Sequence, residues 1–440
     1  MACAVGLMSI KSWLMPAFSQ RLLSRERLLG QRARAEKARV RRGEPHLLHY
    51  FHQADDPYSA LTAACLPALA ARYKVNIQAH LVGPPADNAA PERDKLIAYS
   101  RKDAALLAQR YGLMFQDTGA QPDPASIEQA QALLVAAIDQ HNFIESAHTI
   151  TAALWSDPKA LASLSPASQQ TPGASRVADH LKAGNALRQR LGHYLGGMFH
   201  YAGEWYWGID RLHHLEHRLQ ALGTQAAGVT GLMFAPGLDL AESAPRPAPP
   251  AIEFFVSLRS PYSAIVTERV FELGRRTGAA VNIRYVLPMV MRGLPVPRAK
   301  RYYISLDTAR EAFVRGIAFG RLNDPVGRPT ERGLALLAFA MRAGQGERFL
   351  VSFMRGVWAE GIDAGSDRGL RRITERAGLN WSEARAALKD PGWRKTAEDN
   401  RQTMFGLGLW GVPSFCAGET AVWGQDRLWA LEDTLMKATA

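Results

Sequence analysis

Glu253-Phe254-Phe255-Val256-Ser257-Leu258-Arg259-Ser260-Pro261-Tyr262-Ser263 changes character part-way along its length. Its first part, with Ile252 before it, is a short apolar run of the kind that forms a strand buried on both faces. Ser260-Pro261 then supplies the two residues favoured where a helix begins: a side-chain oxygen at the N-cap, and a proline at the first helical position, where no N–H is needed. After a stretch of helical character comes a second apolar run, residues 281–287. Strand, helix, strand is the opening of a parallel α/β layer.

The same pattern occurs earlier as His49-Tyr50-Phe51-His52-Gln53-Ala54-Asp55-Asp56-Pro57-Tyr58-Ser59, and the two copies run on into Val75-Asn76-Ile77 and Val281-Asn282-Ile283. Their ends also correspond, as Trp207-Gly208-Ile209-Asp210-Arg211-Leu212 and Trp423-Gly424-Gln425-Asp426-Arg427-Leu428. Matched openings and matched ends indicate tandem domains. The expected division is a basic helical extension over residues 1–43, a first domain over 44–235, a Pro- and Ala-rich linker over 236–250 and a second domain over 251–440. Within the second domain, residues 300–390 read as a helical insertion covering the sheet, clearest at 310–319, 333–342 and 349–358. Gly411-Val412-Pro413-Ser414-Phe415-Cys416-Ala417 and Ala421-Val422-Trp423 read as two short strands joined by a turn, and a final helix is expected from Gln425 or Asp426.

A chain of 440 residues is too long for one ordinary core, which agrees with two domains of roughly 200 residues. Its net charge of +12 is unevenly placed: residues 1–44 hold ten Lys or Arg against three Glu, +7 in all, leaving +5 for the other 396 residues. The body is too mildly basic to be a nucleic-acid footprint, and no nucleic-acid partner is expected. The Leu- and Arg-bearing segment 19–42 suits a solvated helix packed on the body, or alternatively a helix lying on an anionic membrane. No apolar run of about 20 residues is present for a spanning helix. Cys3, Cys65 and Cys416 are isolated, outside any CxxC or zinc spacing. They favour a reducing compartment, the cytoplasm. No metal is expected: His49, His52, His213 and His214 have no carboxylate at ligand spacing and read as scattered histidines.

Ser260-Pro261-Tyr262, Gly411-Val412-Pro413 and Trp423-Gly424-Gln425-Asp426-Arg427-Leu428, in this order around a helical insertion, resemble the cysteine-free branch of the DsbA superfamily of thioredoxin-like domains. That branch holds the 2-hydroxychromene-2-carboxylate isomerases and the kappa-class glutathione transferases. The resemblance implies an α/β fold of two tandem thioredoxin-like domains, each with an inserted helical subdomain, and glutathione as cofactor. It makes Ser260 the catalytic residue, whose hydroxyl and helix N–H groups would hold the glutathione thiolate. Lowering a thiol pKa from about 8.5 to about 6.5 needs roughly 2.7 kcal/mol. The resemblance further makes Pro413 a cis-proline whose neighbour Val412 pairs with the glutathione peptide. Gln425 and Asp426 would hold the γ-glutamyl end, and Lys300 would contact the cofactor after a one-residue insertion. The family's Asn before a Pro-Pro pair has no counterpart in Met291-Arg292-Gly293-Leu294-Pro295-Val296-Pro297.

The first copy departs further. Asp56 replaces the serine, and Gly196-Gly197-Met198 stands in the place of Gly-Val-Pro. An anion at that helix end repels a thiolate, so this copy reads as degenerate. The implied activity is a glutathione-dependent isomerase or transferase acting on a small, electrophilic, carboxylate-bearing unsaturated carbonyl compound, with homo-oligomerisation or pairing of the two domains open. The rival readings are a non-catalytic binding scaffold and a thiol-disulfide oxidoreductase. Against the latter, Ser260 and Ser263 stand where its cysteines would be.

Overall fold

Each half of the chain builds a four-stranded mixed sheet from the same order of elements. The computed structural model describes residues 14–164, 172–236 and 247–436. Ten residues of the expected linker, 237–246, lie outside the described residues, as do 1–13 of the N-terminal extension. Contacts group Gln31–Pro236 with Pro297–Lys300 as a first unit, and the remaining described residues as a second.

After helix α1 (Arg25–Arg42), the first half runs β1 (Leu47–His52), α2 (Pro57–Arg72) and β2 (Asn76–Leu81). Five helices follow: α3 (Arg93–Tyr111), α4 (Pro124–Asp139), α5 (Phe143–Ser156), α6 (Pro158–Ser163) and α7 (Ala174–Arg190). The hairpin β3 (Met198–Tyr201) and β4 (Glu204–Trp207) and the helix α8 (Leu212–Ala221) complete it. Strand order is β2-β1-β3-β4, with β1 parallel to β2 and antiparallel to β3.

The second half repeats the order with β5 (Ile252–Val256), α9 (Pro261–Thr277) and β6 (Val281–Tyr285). Its insertion comprises α10 (Arg298–Val314), α11 (Arg328–Arg342), α12 (Gly346–Trp358), α13 (Asp367–Arg376), α14 (Trp381–Ala387) and α15 (Trp393–Gly406). Then come β7 (Ser414–Ala417), β8 (Thr420–Trp423) and α16 (Leu428–Met436), in a sheet ordered β6-β5-β7-β8. Phe254, Phe255 and Val256 are all fully buried, because β5 lies inside the sheet with both faces covered. Phe254 stacks on Phe415 of β7 at 5.3 Å and meets Phe271 of α9 edge-on at 6.4 Å. The core thus ties the sheet to the body of α9.

Two boundaries differ from the sequence expectation. The helix expected at 310–319 starts twelve residues earlier, at Arg298, and ends at Val314, because Gly316 takes φ +65° and turns the chain out of the helix. The last helix starts at Leu428 instead of Gln425 or Asp426. Gly424 lies at φ +121° and Arg427 N–H bonds to its carbonyl at 3.2 Å, so Gln425 and Asp426 form a turn. No helix among the described residues is long and apolar enough to cross a membrane.

Candidate active site

Ser260 occupies the N-cap of α9 with an extended backbone, and its Oγ accepts the Ser263 N–H at 3.1 Å. The same hydroxyl donates to the Val412 carbonyl at 3.3 Å. The Val412-Pro413 peptide is cis. Among the described residues the Val412 N–H makes no hydrogen bond, so an acceptor beside Ser260 would find a free main-chain donor. The hydroxyls of Ser257 and Ser263 are buried without partners under the same turn.

The turn that carries Ser260 is fastened from the insertion. Trp358 at the end of α12 donates its indole N–H to the Leu258 carbonyl at 3.1 Å. Arg259 forms a two-pronged pair with Asp324, both bonds 2.8 Å. Gly333 of α11 lies so close to Leu258 that a Cβ there would come within 2.6 Å of its methyl carbon, so glycine is what lets the helix approach. The first turn of α9 has its own tie: Tyr262 donates its hydroxyl to Asp307 at 2.7 Å, and Arg310 holds the other oxygen of that carboxylate at 2.7 Å. A two-pronged guanidinium pair and a charge-assisted hydroxyl bond are the stronger kinds of hydrogen bond, and they fix rotamers as well as position.

The proline loop is tied to the turn before α16 by Gly424 N–H donating to the Pro413 carbonyl at 2.9 Å. Gly411 packs on Trp423, where a Cβ would sit 2.9 Å from the indole. These contacts bring Ser260, Val412, Pro413 and the Gln425-Asp426 turn to one end of the sheet. Asp426 is partly exposed in the turn, 3.4 Å from Arg427.

Two residues expected at the cofactor have side-chain partners within the protein. The Gln425 side chain is 1% exposed; its amide donates to Glu311 at 2.7 Å and accepts from Arg269 at 3.0 Å. Arg269 is pulled down to about 10, mainly by burial and then by the nearby Arg315 charge. Gln425 therefore serves a buried polar network between α9, α10 and the turn, and its amide is already in use. Lys300 donates its ammonium to the Ala89 carbonyl at 2.9 Å, and its segment groups with the first unit. Burial lowers its pKa to about 8. The sequence could not reveal Glu311 as the partner of Gln425, since 114 residues separate them.

The tyrosine–aspartate tie is a feature the sequence reading missed. Tyr58 donates to Asp103 at 2.8 Å in the first half, and Tyr262 to Asp307 in the second, each pair 45 residues apart. That equal spacing was the available signal. Two clefts in the second unit, of 700 and 520 Å³, are lined by other residues. The larger lies along β6 and the smaller along the flank of α9 from Ala264 onward, so hydrogen bonding and not cleft volume marks Ser260.

In the first half the corresponding cap is a carboxylate. Asp56 accepts the Ser59 N–H at 2.9 Å and the Ser59 hydroxyl at 2.7 Å. Burial pushes its carboxyl up to about 6, against the lowering effect of those bonds. Gly197, at φ +61°, passes so near that a Cβ would be 3.3 Å from the Asp56 oxygen, which explains glycine where the second half has valine.

Residues 251–436 match the sequence family described as the DSBA-like thioredoxin domain. The second half of the chain carries a DSBA-like domain. Among curated relatives, 2-hydroxychromene-2-carboxylate isomerase of Sphingobium xenophagum is 23% identical over 195 residues, covering 42% of this chain and 97% of the relative. A solved 2-hydroxychromene-2-carboxylate isomerase is 22% identical with a TM-score of 0.36, over 42% of this chain and 93% of that one. The cytosolic disulfide reductase DsbM from Pseudomonas aeruginosa with GSH is 19% identical with a TM-score of 0.33, over 42% of this chain and 98% of that one. The curated relative carries the name of an isomerase. In this chain serine, not cysteine, heads α9.

Proposed function

We propose that the second unit is a glutathione-dependent isomerase or transferase acting on a small, electrophilic, carboxylate-bearing unsaturated carbonyl compound. The observation that carries the reading is the meeting of Ser260 with Val412: a hydroxyl at a helix N-terminus, 3.3 Å from the carbonyl that precedes a cis-proline. Glutathione, when bound, supplies a thiol whose anion adds reversibly to an electrophilic carbon, and reversal after rotation isomerises the substrate.

The residues fit such a ligand on three counts. The free Val412 N–H and the adjacent carbonyl offer the pair of main-chain contacts by which an extended peptide adds to a strand edge. The Ser260 hydroxyl can turn from the Val412 carbonyl toward an incoming sulfur, and the positive end of the 17-residue helix α9 favours the anionic form. Asp426, partly exposed in its turn beside Arg427, is the acidic group assigned to the ammonium at the far end of the tripeptide. Gln425 contributes by holding that turn through Glu311 and Arg269. The relative from Sphingobium xenophagum, an isomerase by name, and the GSH bound to DsbM are in keeping with this assignment.

The equal strand order of the two sheets and the repeated Tyr–Asp tie support a second part of the reading, that one fold was duplicated and its first copy lost thiol chemistry with Asp56. The test is titration of the full chain with glutathione by calorimetry, beside turnover of 2-hydroxychromene-2-carboxylate. Binding that Ser260→Ala abolishes or weakens at least tenfold supports the assignment. Absence of glutathione binding, or binding indifferent to Ser260→Ala, refutes it.

A further inference from the structure

The 520 Å³ cleft of the second unit lies between the flank of α9, residues 316–319 and α12. Its size is in the range that holds small organic ligands. Ala264, Ile265, Ile317, Phe319, Val351 and Met354 give it apolar walls, and the Phe319 ring is held 6.0 Å from Trp358 with 9° between their planes. Arg269, partly buried, brings a positive charge to this lining. Among the described residues its hydrogen bonds are both made by Nη1, to the main-chain and side-chain oxygens of Gln425, each at 3.0 Å. Its Nε and Nη2 make none, and neither atom is buried. Glu311, the acid that acts most on Arg269, is itself taken by Arg315 and by the Gln425 amide, both at 2.7 Å.

We propose that this cleft binds a small carboxylate with a planar apolar body, its two oxygens on Nε and Nη2 of Arg269. Holding the Gln425 turn accounts for Nη1 alone. The Nε–Nη2 edge is the one that makes two-pronged carboxylate pairs elsewhere in this chain, in Arg32 with Glu204 and in Arg259 with Asp324. Burial and the Arg315 charge pull Arg269 down to about 10, so it stays charged at neutral pH, and a bound anion offsets Arg315. The flat ring of Phe319 suits a planar ligand body. Most other charges of the lining are paired within the protein: Arg275 with Glu272 and Glu347, and Arg355 with Glu360. Glu268 is exposed, has no ion pair among the described residues, and is the charge that opposes an anion here.

The site stands apart from the thiol chemistry proposed above. Ser260, Val412, Pro413 and Asp426 do not line the cleft, and Arg269 lies nine residues beyond Ser260, about 13.5 Å along the helix.

The experiment titrates the full chain by calorimetry with trans-cinnamate and with its uncharged counterpart cinnamamide. One cinnamate per chain is expected, with a Kd of about 1 mM or below, and cinnamamide should bind at least tenfold more weakly. Arg269→Gln should weaken cinnamate binding at least tenfold. Val351→Phe, which narrows the cleft from α12, should do the same, and Glu268→Gln should tighten it. Ser260→Ala should leave the affinity within twofold, so failure of the glutathione assignment and failure of this one are read separately. If Arg269→Gln does not fold by circular dichroism, Val351→Phe and the cinnamamide comparison decide, with the same expected losses. No cinnamate binding, the arginine edge then meeting only water, overturns the proposal. So does an affinity that the Arg269 and Val351 variants leave within twofold, cinnamamide binding as tightly as cinnamate, or loss of binding with Ser260→Ala.

Discussion

Ser260→Asp separates the two jobs assigned to one side chain. In the first half Asp56 already shows that a carboxylate caps this helix start, accepting Ser59 N–H at 2.9 Å where Ser260 accepts Ser263 N–H at 3.1 Å. The aspartate variant therefore keeps the cap, and at pH 5, where a carboxyl like that of Asp56 is mostly protonated, its unfolding midpoint should stay close to that of the parent; at neutral pH the buried charge lowers it. Ser260→Ala loses the cap at about 1 kcal/mol, or about 2–4 °C in a unit of this size.

The thiol responds in the opposite order. Two unit charges about 4 Å apart at an effective dielectric constant of about 20 repel by about 4 kcal/mol, which is about three units of thiol pKa. A bound thiol near 6.5 would move to about 9.5 and be well under one per cent ionised at neutral pH. A new carboxyl resembling Asp56, whose pKa is pushed up to about 6, is still ionised there and delivers the full repulsion. The assay pairs thermal unfolding with the ultraviolet absorbance of bound glutathione thiolate. The expected result is a folded aspartate variant with no thiolate signal at neutral pH, beside an alanine variant that keeps part of it. An aspartate variant that ionises bound glutathione as well as the parent refutes the argument, because the helix end would then not be where the sulfur sits.

Other substitutions test the frame around that site. Tyr262→Phe removes a donor from the buried Asp307 and should cost about 1–3 kcal/mol in urea unfolding, with the loss of activity falling on kcat if the first turn of α9 shifts. Gln425→Ala strips a partner from both Glu311 and Arg269 and should lower stability by about 1–3 kcal/mol while leaving glutathione affinity within a few-fold, as calorimetry would show. Asp56→Asn addresses pH. Asp56 holds its proton up to about pH 6 when folded but only to about 3.8 when unfolded, so the folded state binds more protons in that window and stability falls as pH rises through it. The asparagine variant should gain about 2–3 kcal/mol over the parent at neutral pH and almost nothing below pH 4, read from urea midpoints across that range. His52, which burial lowers to about 3, slopes the other way, so the comparison must be between variant and parent.

What was legible in the sequence was local or bounded by punctuation. Ser260-Pro261 announced α9 because a cap and an N1 proline act within one turn. The strands β5 and β6 were marked by short apolar runs, and the β7–β8 hairpin by Gly418-Glu419. The meeting of Ser260 with Val412, 152 residues on, was not in the residues themselves and came through the family resemblance. Where no local signal exists the side-chain partners stayed hidden: nothing near Gln425 in sequence announces Glu311 or Arg269, and nothing near Lys300 announces the Ala89 carbonyl. Helix limits failed for a related reason: Gly316 and Gly424 change the chain direction through their φ angles, and a glycine in a sequence does not disclose the sign of φ.

The two halves meet the same local problem with different side chains. A helix that begins after a strand leaves its first N–H groups and a partial positive charge exposed, and some acceptor must meet them. Serine meets one N–H and stays neutral, so the positive end remains available to an outside anion. Aspartate meets the same N–H, adds the Ser59 hydroxyl, and compensates the charge with its own. Both choices cap the helix, and capping alone does not distinguish them. Serine avoids the cost of a buried charge, which pushes the Asp56 carboxyl up to about 6, and leaves the helix end to an external anion. On this argument the change from Asp56 to Ser260, with a Gly-Gly segment replaced by Val412 and cis-Pro413, is the difference between a helix start that has consumed its field and one that still has it to offer.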